Sequence, residues 1–242
     1  MSKPGAKEMT EAEQLGFFSA MDSTTRRESL ARTRLVNTRK GAALLTKGDA
    51  SSDVFFVLEG QFQVLLYSSS GREVSLRDLK STDMFGELAA IDGESRSASI
   101  VATENARLLV ISRADFRRAI ESSPSAALWL LGQLTDRIRE LTERVFELSA
   151  LNVQARLHCE LLRMAKRSAD GLEIRPAPTH AELANRIGTH REAVTREMRA
   201  LAAQSIIKAG RRRLEFLDLG RLQTSVERLS VQAAPAEKPD AA

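Results

Sequence analysis

The chain has 242 residues, a net charge of +4 and a hydrophobic content of 43%, which suits one large domain or two modest ones that each bury a core. An aromatic content of 5% argues against a protein that stacks single-stranded bases on aromatic rings. The single cysteine, Cys159, excludes an intrachain disulfide and a cysteine cluster for zinc or iron–sulfur binding. The polar N-terminus and the lack of a long apolar run predict a cytoplasmic protein with no membrane partner.

The N-terminal half changes from a helical to a strand-like pattern. Residues 1–10 are predicted to be disordered, and 15–35 are amphipathic with a helical period. Short apolar runs then follow at 54–58, 62–66, 74–76, 99–102 and 108–111, with a Ser/Gly loop at 68–71. This spacing predicts an all-β barrel or sandwich rather than a parallel sheet.

A polar cluster lies within this β region, at 85–99. Gly86 permits a close backbone approach, and Arg96 and Ser97 offer a charged fork and a hydroxyl for a phosphate diester. Glu87 can accept a hydrogen bond from a ribose hydroxyl. The residues alone leave another interpretation open, in which Glu87 and Arg96 form a simple salt bridge across a loop.

A long helix is predicted after Ser123, which is a suitable N-cap before Pro124 at the first helical position. Its apolar residues recur at alternating steps of three and four, as in a heptad seam. The seam consists of Leu131, Leu134, Ile138, Leu141, Val145 and Leu148. Such a seam could pack within one chain, but its charged flanks favour a two-helix dimer interface.

The C-terminal half predicts two short helices at 179–187 and 190–203, separated by Gly188. Each is preceded by a Thr-x-x-Glu capping box, starting at Thr179 and at Thr189. The exposed side of the second helix is basic and polar, which is typical of a helix-turn-helix. This side consists of Arg191, Glu192, Thr195, Arg196 and Arg199. A purely structural helical hairpin would not need so many arginines on one face.

The segment 206–217 predicts a hairpin with a basic tip, suited to phosphate contact. A helical pattern at 153–165 and a turn at Asp170-Gly171 precede this region, and a hinge is expected near 148–152. The sequence therefore predicts an α+β protein. Its expected parts are a β domain at 11–122, a dimerisation helix at 123–150, a winged helix-turn-helix at 151–231 and a disordered tail at 232–242.

The string F-G-E-L-A-x-x-x-G-x-x-R-S-A-S resembles the phosphate-binding cassette of cyclic-nucleotide-binding domains. The matching residues are Phe85, Gly86, Glu87, Leu88, Ala89, Gly93, Arg96, Ser97 and Ala98. Gly48-Asp49, 55–60 and Gly71 also resemble the eight-stranded jelly roll of that domain. Over residues 15–220 the order of elements is similar to the cyclic-AMP receptor protein (CRP/FNR) family of bacterial regulators. One departure is 81–83, where many members have a glycine before Asp83.

The resemblance implies cAMP or cGMP as an allosteric ligand, held by Gly86, Glu87, Leu88, Arg96 and Ser97. The family's alignment places Leu141 and Thr142 of the long helix at the purine base. A threonine hydroxyl both donates and accepts, so the choice between adenine and guanine stays open. Haem and iron–sulfur sensing are not expected, because the N-terminal half contains neither histidine nor cysteine.

The resemblance also implies a homodimer on double-stranded DNA with a TGTGA-like palindrome, and RNA polymerase as a further partner. The resemblance of 191–196 to the family's recognition helix implies that Arg191 and Arg196 pair with guanine and Glu192 with cytosine, in agreement with the general pairing code. The remaining expected DNA-binding residues contact phosphates or flanking bases. They are Thr179, His180, Thr189, His190, Thr195, Arg199, Arg211 and Arg212.

Two other functions compete with a nucleotide-gated regulator. The first is a ligand-independent DNA binder with a vestigial nucleotide pocket, which the retained Glu87, Arg96 and Ser97 disfavour. The second is an enzyme such as a cyclic-nucleotide phosphodiesterase, which would need a metal-ligand cluster or a nucleophile–base pair. The sequence shows neither, and His158 and Cys159 are interpreted as packing residues.

Overall fold

The computed structural model describes residues 2–69, 73–168 and 171–233. The chain divides into two compact units, Met1–Ile138 and Arg139–Ala242. The predicted loop at 68–71, the turn at Asp170-Gly171 and the tail at 232–242 lie partly outside the described residues.

The first unit opens with three helices and then forms eight strands. The elements are α1 (Ala6–Glu13), α2 (Gly16–Ser19), α3 (Ser23–Ala31), β1 (Arg34–Thr38), β2 (Ala43–Leu45), β3 (Val54–Glu59), β4 (Phe62–Tyr67), β5 (Glu73–Leu79), β6 (Met84–Phe85), α4 (Glu87–Asp92), β7 (Ser99–Ala102), β8 (Ala106–Ile111) and α5 (Arg113–Ser122). The strands make two antiparallel sheets, in the orders β1-β8-β3-β6 and β2-β7-β4-β5. This is the expected eight-stranded jelly roll, and the α+β fold class is confirmed.

Buried aromatic and aliphatic residues hold this unit together. Phe62, Phe85 and Leu108 belong to one core cluster, which contains residues from both sheets. Phe17 stacks on Phe56 and on Phe116, with ring centroids 5.5 and 5.1 Å apart, so the N-terminal helices pack against one face of the first sheet. The prediction that residues 1–10 are disordered is wrong from Ala6 onward, because α1 is helical there.

The turn between β5 and β6 contains the family departure noted above. Thr82 has a φ of 81°, in the left-handed region that a glycine adopts more easily than a β-branched residue. Its N–H donates to the Val57 carbonyl at 2.9 Å, and Val57 N–H donates to the Asp83 carbonyl at 2.9 Å. These bonds hold the turn in this left-handed conformation.

The long helix α6 (Pro124–Ala150) begins where the sequence predicts, since the Ser123 hydroxyl accepts from the Ala126 N–H at 3.3 Å. The second unit continues with α7 (Val153–Met164), β9 (Lys166–Ser168), β10 (Gly171–Ile174), α8 (His180–Ile187), α9 (Arg191–Ala203), β11 (Ile207–Gly210), β12 (Arg213–Phe216) and α10 (Leu219–Ala233). Its sheet has the order β11-β12-β10-β9. Leu157, Leu183, Val194 and Leu222 share its core.

Candidate functional sites

The first candidate site is built around Gly86, at the junction of β6 and α4. Its φ is 86°, and a Cβ there would lie 2.8 Å from both Arg96 Nη1 and the Asp53 carbonyl oxygen. A side chain would therefore collide with groups that build the site, and glycine alone allows this approach. The turn directs the following residues, beginning with Glu87, into the first turn of α4.

Arg96 is the central group of this site and only 3% of the residue is exposed. Nε donates to Ser51 Oγ at 2.9 Å, Nη1 to the Gly86 carbonyl at 2.9 Å and Nη2 to the Asp53 carbonyl at 2.8 Å. Its guanidinium carbon also lies 5.9 Å from the ring centroid of Phe55. These three bonds use one hydrogen on each nitrogen, which leaves one N–H on each terminal nitrogen for an anion.

Burial shifts the pKa values of two groups in this site, Arg96 and Glu87. It lowers the pKa of Arg96, while Asp53, Glu87 and Asp49 act in the opposite direction. Burial also raises the pKa of Glu87, and the positive charges of Arg77 and Arg96 partly offset that effect. Within the described residues, the hydrogen bonds of Arg96 go to Ser51, Gly86 and Asp53, so the alternative of a simple Glu87–Arg96 salt bridge is not what the structure forms.

The other expected ligand residues are more exposed. Ser97 is exposed beside Arg96, and Leu88 on α4 is 44% exposed. Leu141, at 50%, and Thr142 are exposed on α6, in the second unit. The sequence interpretation missed Ser51 and Asp53, because no local motif marks residues of a distant loop that accept hydrogen bonds from Arg96.

The second candidate site is a polar face on α9. Five side chains line one concavity of about 580 Å³: Arg191, Glu192, Thr195, Arg196 and Arg199. The opposite face of α9 is buried in the core through Val194, Met198 and Leu201. This division fixes which side of α9 faces outward.

The helix α8 supports α9 through caps and one side-chain bond. The Thr179–Glu182 capping box forms as predicted, and Gly188 ends α8 with a φ of 67°. Thr195 Oγ1 donates to the Arg191 carbonyl at 2.9 Å, so it accepts from His180 Nδ1 at 2.9 Å. His180 therefore contacts the exposed face of α9.

The start of α9 differs from the prediction. The helix begins at Arg191 with His190 as its N-cap, one residue later than expected, and the His190 side chain makes no capping bond. Thr189 thus lies one residue before the N-cap. The predicted hairpin is present, with Arg211 and Arg212 as the two residues between β11 and β12, and both are exposed.

A buried chain of polar groups lies behind α9. His158 Nε2 lies 2.9 Å from Glu197 Oε1, and Nδ1 lies 2.7 Å from Ser225 Oγ. The Ser225 hydroxyl already donates to the Leu222 carbonyl at 2.7 Å, so both ring nitrogens of His158 face acceptors. The bonds from His158 and Gln154 lower the pKa of Glu197.

This serine–histidine–glutamate chain is a structural link. A nucleophile would have its hydroxyl hydrogen directed at the histidine, whereas here Ser225 donates to backbone and His158 is 3% exposed. These hydrogen-bonded side chains connect α7, α9 and α10. His158 is buried, as the packing interpretation predicts, but it also forms polar contacts that the sequence did not reveal.

Another buried carboxylate joins the last turns of α6 to the helices after it. Glu160 on α7 accepts from Arg144 Nη2 at 2.7 Å, Arg163 Nη1 at 2.5 Å and Arg186 Nη1 at 3.5 Å. Glu147 pairs with Arg144 and Arg163 as well. Within the second unit, these ion pairs attach the end of α6 to α7 and α8.

Most of the predicted heptad seam is exposed on the single chain. Leu134 packs against the core of the first unit. The other seam residues have large exposed fractions: Leu131 58%, Ile138 64%, Leu141 50%, Val145 63% and Leu148 52%. An apolar stripe of this kind needs a covering surface.

Neither a metal-binding cluster nor a membrane-spanning helix is present in the described residues. No group of three or more His, Cys, Asp or Glu side chains there could hold a metal ion. Over the same part of the chain, no helix combines the length and apolar character needed to span a membrane.

Comparison with known proteins adds independent findings. A family model for the cyclic nucleotide-binding domain matches residues 35–123, and one for the Crp-like helix-turn-helix domain matches 155–225. The cAMP-activated global transcriptional regulator Vfr of Pseudomonas aeruginosa is 31% identical over 176 residues, covering 69% of this chain and 81% of that protein. The cyclic AMP receptor protein of Thermus thermophilus is 30% identical over 185 residues, covering 76% and 84%.

Solved structures share the fold. The c-di-GMP responsive global regulator CLP of Xanthomonas campestris superposes with a TM-score of 0.71 at 21% identity, covering 81% of this chain and 99% of that one.

Proposed function

Because the chain belongs to the CRP/FNR family of transcription regulators, we propose that it is a homodimer whose binding to DNA is controlled by a cyclic nucleotide, cAMP or cGMP. The observation that carries this proposal is the Arg96 site. A buried guanidinium, held by two carbonyls and a serine, keeps an N–H on each terminal nitrogen beside Gly86 at the first turn of α4. This arrangement suits a phosphate diester.

In the proposed complex, Arg96 and Ser97 hold the cyclic phosphate, with Gly86 giving close backbone approach. Glu87 accepts the ribose hydroxyl, and Leu88 packs on the sugar. By resemblance to the family, Leu141 and Thr142 contact the base. Glu87 is half-buried, and burial raises the pKa of its carboxyl. A hydroxyl donor would replace hydrogen bonds to water that this carboxyl loses on burial.

On the DNA side, we propose that α9 enters the major groove. Arg191 and Arg196 would pair with guanine edges and Glu192 with a cytosine amine, in a near-palindrome with TGTGA-like half-sites about one helical turn apart. Thr179, His180, Thr189 and His190 would lie along the backbone or flanking bases, with Thr195 and Arg199 beside them. Arg211 and Arg212 would contact phosphates from the hairpin.

The exposed seam of α6 supports the dimer, because two copies would cover each other's apolar stripe. The ion pairs of Glu160 and Glu147 then matter for control, since they tie the end of this helix to the DNA-binding helices. A nucleotide gates DNA binding only if it binds the DNA-competent arrangement more tightly than the other. By linkage, DNA must then tighten nucleotide binding by the same factor. RNA polymerase is proposed as the further partner on the family resemblance alone.

The test is a fluorescence anisotropy titration of a TGTGA palindrome with protein alone, with cAMP and with cGMP. At least one nucleotide should increase the affinity, and the same DNA should tighten that nucleotide in calorimetry. Equal DNA affinity in all three conditions, together with no calorimetric nucleotide binding, would favour a ligand-independent regulator. A scrambled duplex of the same length is the control for sequence-independent binding.

A further inference from the structure

The C-terminal helix α10 begins beside the end of α9. Leu222 of α10 is fully buried and belongs to the same core cluster as Leu157 of α7. Just before α10, the N–H groups of Leu217 and Asp218 both donate to the Ile206 carbonyl, at 2.8 and 3.2 Å. Ile206 lies two residues after the C-cap of α9, so these bonds attach the start of α10 to the end of α9.

Arg221, in the first turn of α10, brings a cation to the C-terminal end of α9. Its Nη1 donates to the carbonyl of Gln204, the C-cap residue of α9, at 3.1 Å. The last carbonyls of a helix have no intrahelical donor and carry partial negative charge. The last turn of α9 has no basic residue of its own. The cation at this helix end is therefore supplied by α10.

One turn further along α10, Ser225 is connected to the middle of α9 through His158. His158 Nδ1 lies 2.7 Å from Ser225 Oγ, and Nε2 lies 2.9 Å from Glu197 Oε1. Glu197 is 8% exposed and directly follows Arg196 in the chain. Because Glu197 and Gln204 are seven residues apart, α10 holds α9 at two points about 10 Å apart along its axis.

We propose that α10 positions α9 for the reading of bases, with Arg221 and Ser225 as the positioning residues. This inference rests on the proposed binding of DNA by α9. A bidentate pair between an arginine fork and a guanine needs its helix placed to within about 0.5 Å and about 10–20°. Two holding points on one neighbouring helix fix both the axial position and the tilt of α9.

Base reading and phosphate contact respond differently to a small shift of α9. Phosphate contacts depend on charge and carry no sequence information, so they tolerate such a shift. The bidentate base contacts do not, because their geometry is fixed by the two partners. Loss of the hold by α10 therefore lowers sequence preference more than it lowers overall affinity for DNA.

The experiment is a fluorescence anisotropy titration of the TGTGA palindrome and of the scrambled duplex with the full chain, in the presence of cAMP and cGMP. The double variant Arg221→Met/Ser225→Ala should lower the ratio of the two affinities at least about fivefold, which is the smallest discrimination that one bidentate pair supplies. Its affinity for the scrambled duplex should stay within about twofold of wild type, because the arginines of α9 are intact.

Three single variants complete the test. Arg221→Met should give part of the loss, and it should fold normally because Arg221 is exposed. Arg221→Lys keeps a charged donor for the Gln204 carbonyl and should keep most of the wild-type ratio. Arg228→Met removes an exposed arginine from the same helix and is the matched control, so it should leave the ratio unchanged.

Urea unfolding checks that each variant is folded, and if the double variant is not, the ratio for Arg221→Met against that for Arg221→Lys decides the question. An unchanged ratio in the folded double variant, equal weakening on both duplexes, or the same loss in Arg228→Met would each overturn the inference. These results leave the proposed function standing, because wild type still prefers the palindrome. A wild type that binds both duplexes equally would remove both.

Discussion

Arginine is the main functional residue type in both units, but the two units hold it in opposite ways. In the jelly roll, Arg96 is 3% exposed and its three nitrogens each donate within the protein. In the helix-turn-helix, Arg191, Arg196 and Arg199 are exposed along one concave face of α9. One site has a single fixed cation, and the other has a row of cations in water.

This contrast indicates two kinds of binding. A buried cation acts in low dielectric, where its contribution is large, local and weakly screened by salt. An exposed row acts through many small, screened contributions that depend steeply on salt. Substitution of the buried arginine in the first unit should therefore abolish nucleotide binding, whereas each substitution of an exposed arginine in the second unit should reduce DNA affinity only in part.

The largest effect is expected for Arg96→Leu. The buried phosphate would lose its charge-assisted bonds, so nucleotide binding should become undetectable by calorimetry. The Gly86 and Asp53 carbonyls also lose their donor, at about 1–3 kcal/mol of unfolding free energy for each unsatisfied group. The variant should thus unfold at a lower denaturant concentration than wild type, but it should be folded in the absence of denaturant.

Ser97→Ala is the matched control for Arg96→Leu, because it removes one exposed hydroxyl of the same site and leaves the Arg96 bonds intact. It should weaken nucleotide binding and leave stability unchanged. Undiminished binding by Arg96→Leu would contradict the pocket assignment and, with it, the contrast between the two units.

The next effect concerns dimer assembly. DNA binding by the exposed arginines depends on the dimer if two recognition helices bind one palindrome together. Ile138→Asp should place two like charges in the proposed α6 interface and weaken the dimer by several kcal/mol. Sedimentation should show monomer, and affinity for the palindrome should fall towards that for a single half-site. Gln133→Asp, exposed on the same helix outside the seam, should keep the dimer. An unchanged dimer in Ile138→Asp would mean that the seam packs elsewhere.

A smaller effect concerns pH and the buried support of α9. The folded-state pKa of Glu197 lies below its ordinary value of 4.5 because His158 and Gln154 hold its charged form. The unfolded state therefore binds more protons near that value, and stability rises with pH there. Equivalently, this contribution is complete above the unfolded-state pKa and is lost as pH falls through the folded-state pKa.

Glu197→Gln should lose about 1.5–3 kcal/mol of unfolding free energy at neutral pH, the range for hydrogen bonds to charged groups. The gap from wild type should close in acid, as measured by urea unfolding of both proteins between about pH 6 and about pH 3. Glu192→Gln, exposed on the same helix, should show a constant gap near zero. A pH-independent gap for Glu197→Gln would mean that packing, rather than charge, sets its cost.

The two units also differ in how much of them the sequence predicts. The start of α6, the α8 capping box, the Gly188 turn and the Arg211–Arg212 hairpin tip follow from signals within a few residues. The jelly roll needed the family resemblance, because short strands specify their partners only through distant residues. The helix α1 and the start of β1 were predicted wrongly, because residues 1–10 were expected to be disordered and residues 15–35 to be helical.

The supports of both sites were missed for the same reason. Arg96 meets Ser51 and Asp53 across 45 and 43 residues, and His158 meets Glu197 and Ser225 across 39 and 67 residues. Spacing can predict which residues share a helix face, as it does for the row on α9. It cannot predict which distant polar group satisfies a buried one.

The smallest effects separate sequence reading by α9 from phosphate contact by the β11–β12 hairpin. Arg191→Ala should cost about 1–3 kcal/mol of DNA binding and relax discrimination at one guanine, because a bidentate base contact is lost. Arg212→Ala should weaken binding to all duplexes alike and reduce the slope of log K against log salt by about one, because one phosphate contact is lost. Arg212 has a φ of 56°, and alanine keeps its Cβ, so the comparison changes the charged head and not the turn. Anisotropy titrations over several salt concentrations, on the palindrome and on a duplex with that guanine replaced, measure both quantities. If Arg212→Ala altered base preference, or Arg191→Ala weakened all duplexes equally, the hairpin and the helix would have exchanged the roles assigned to them.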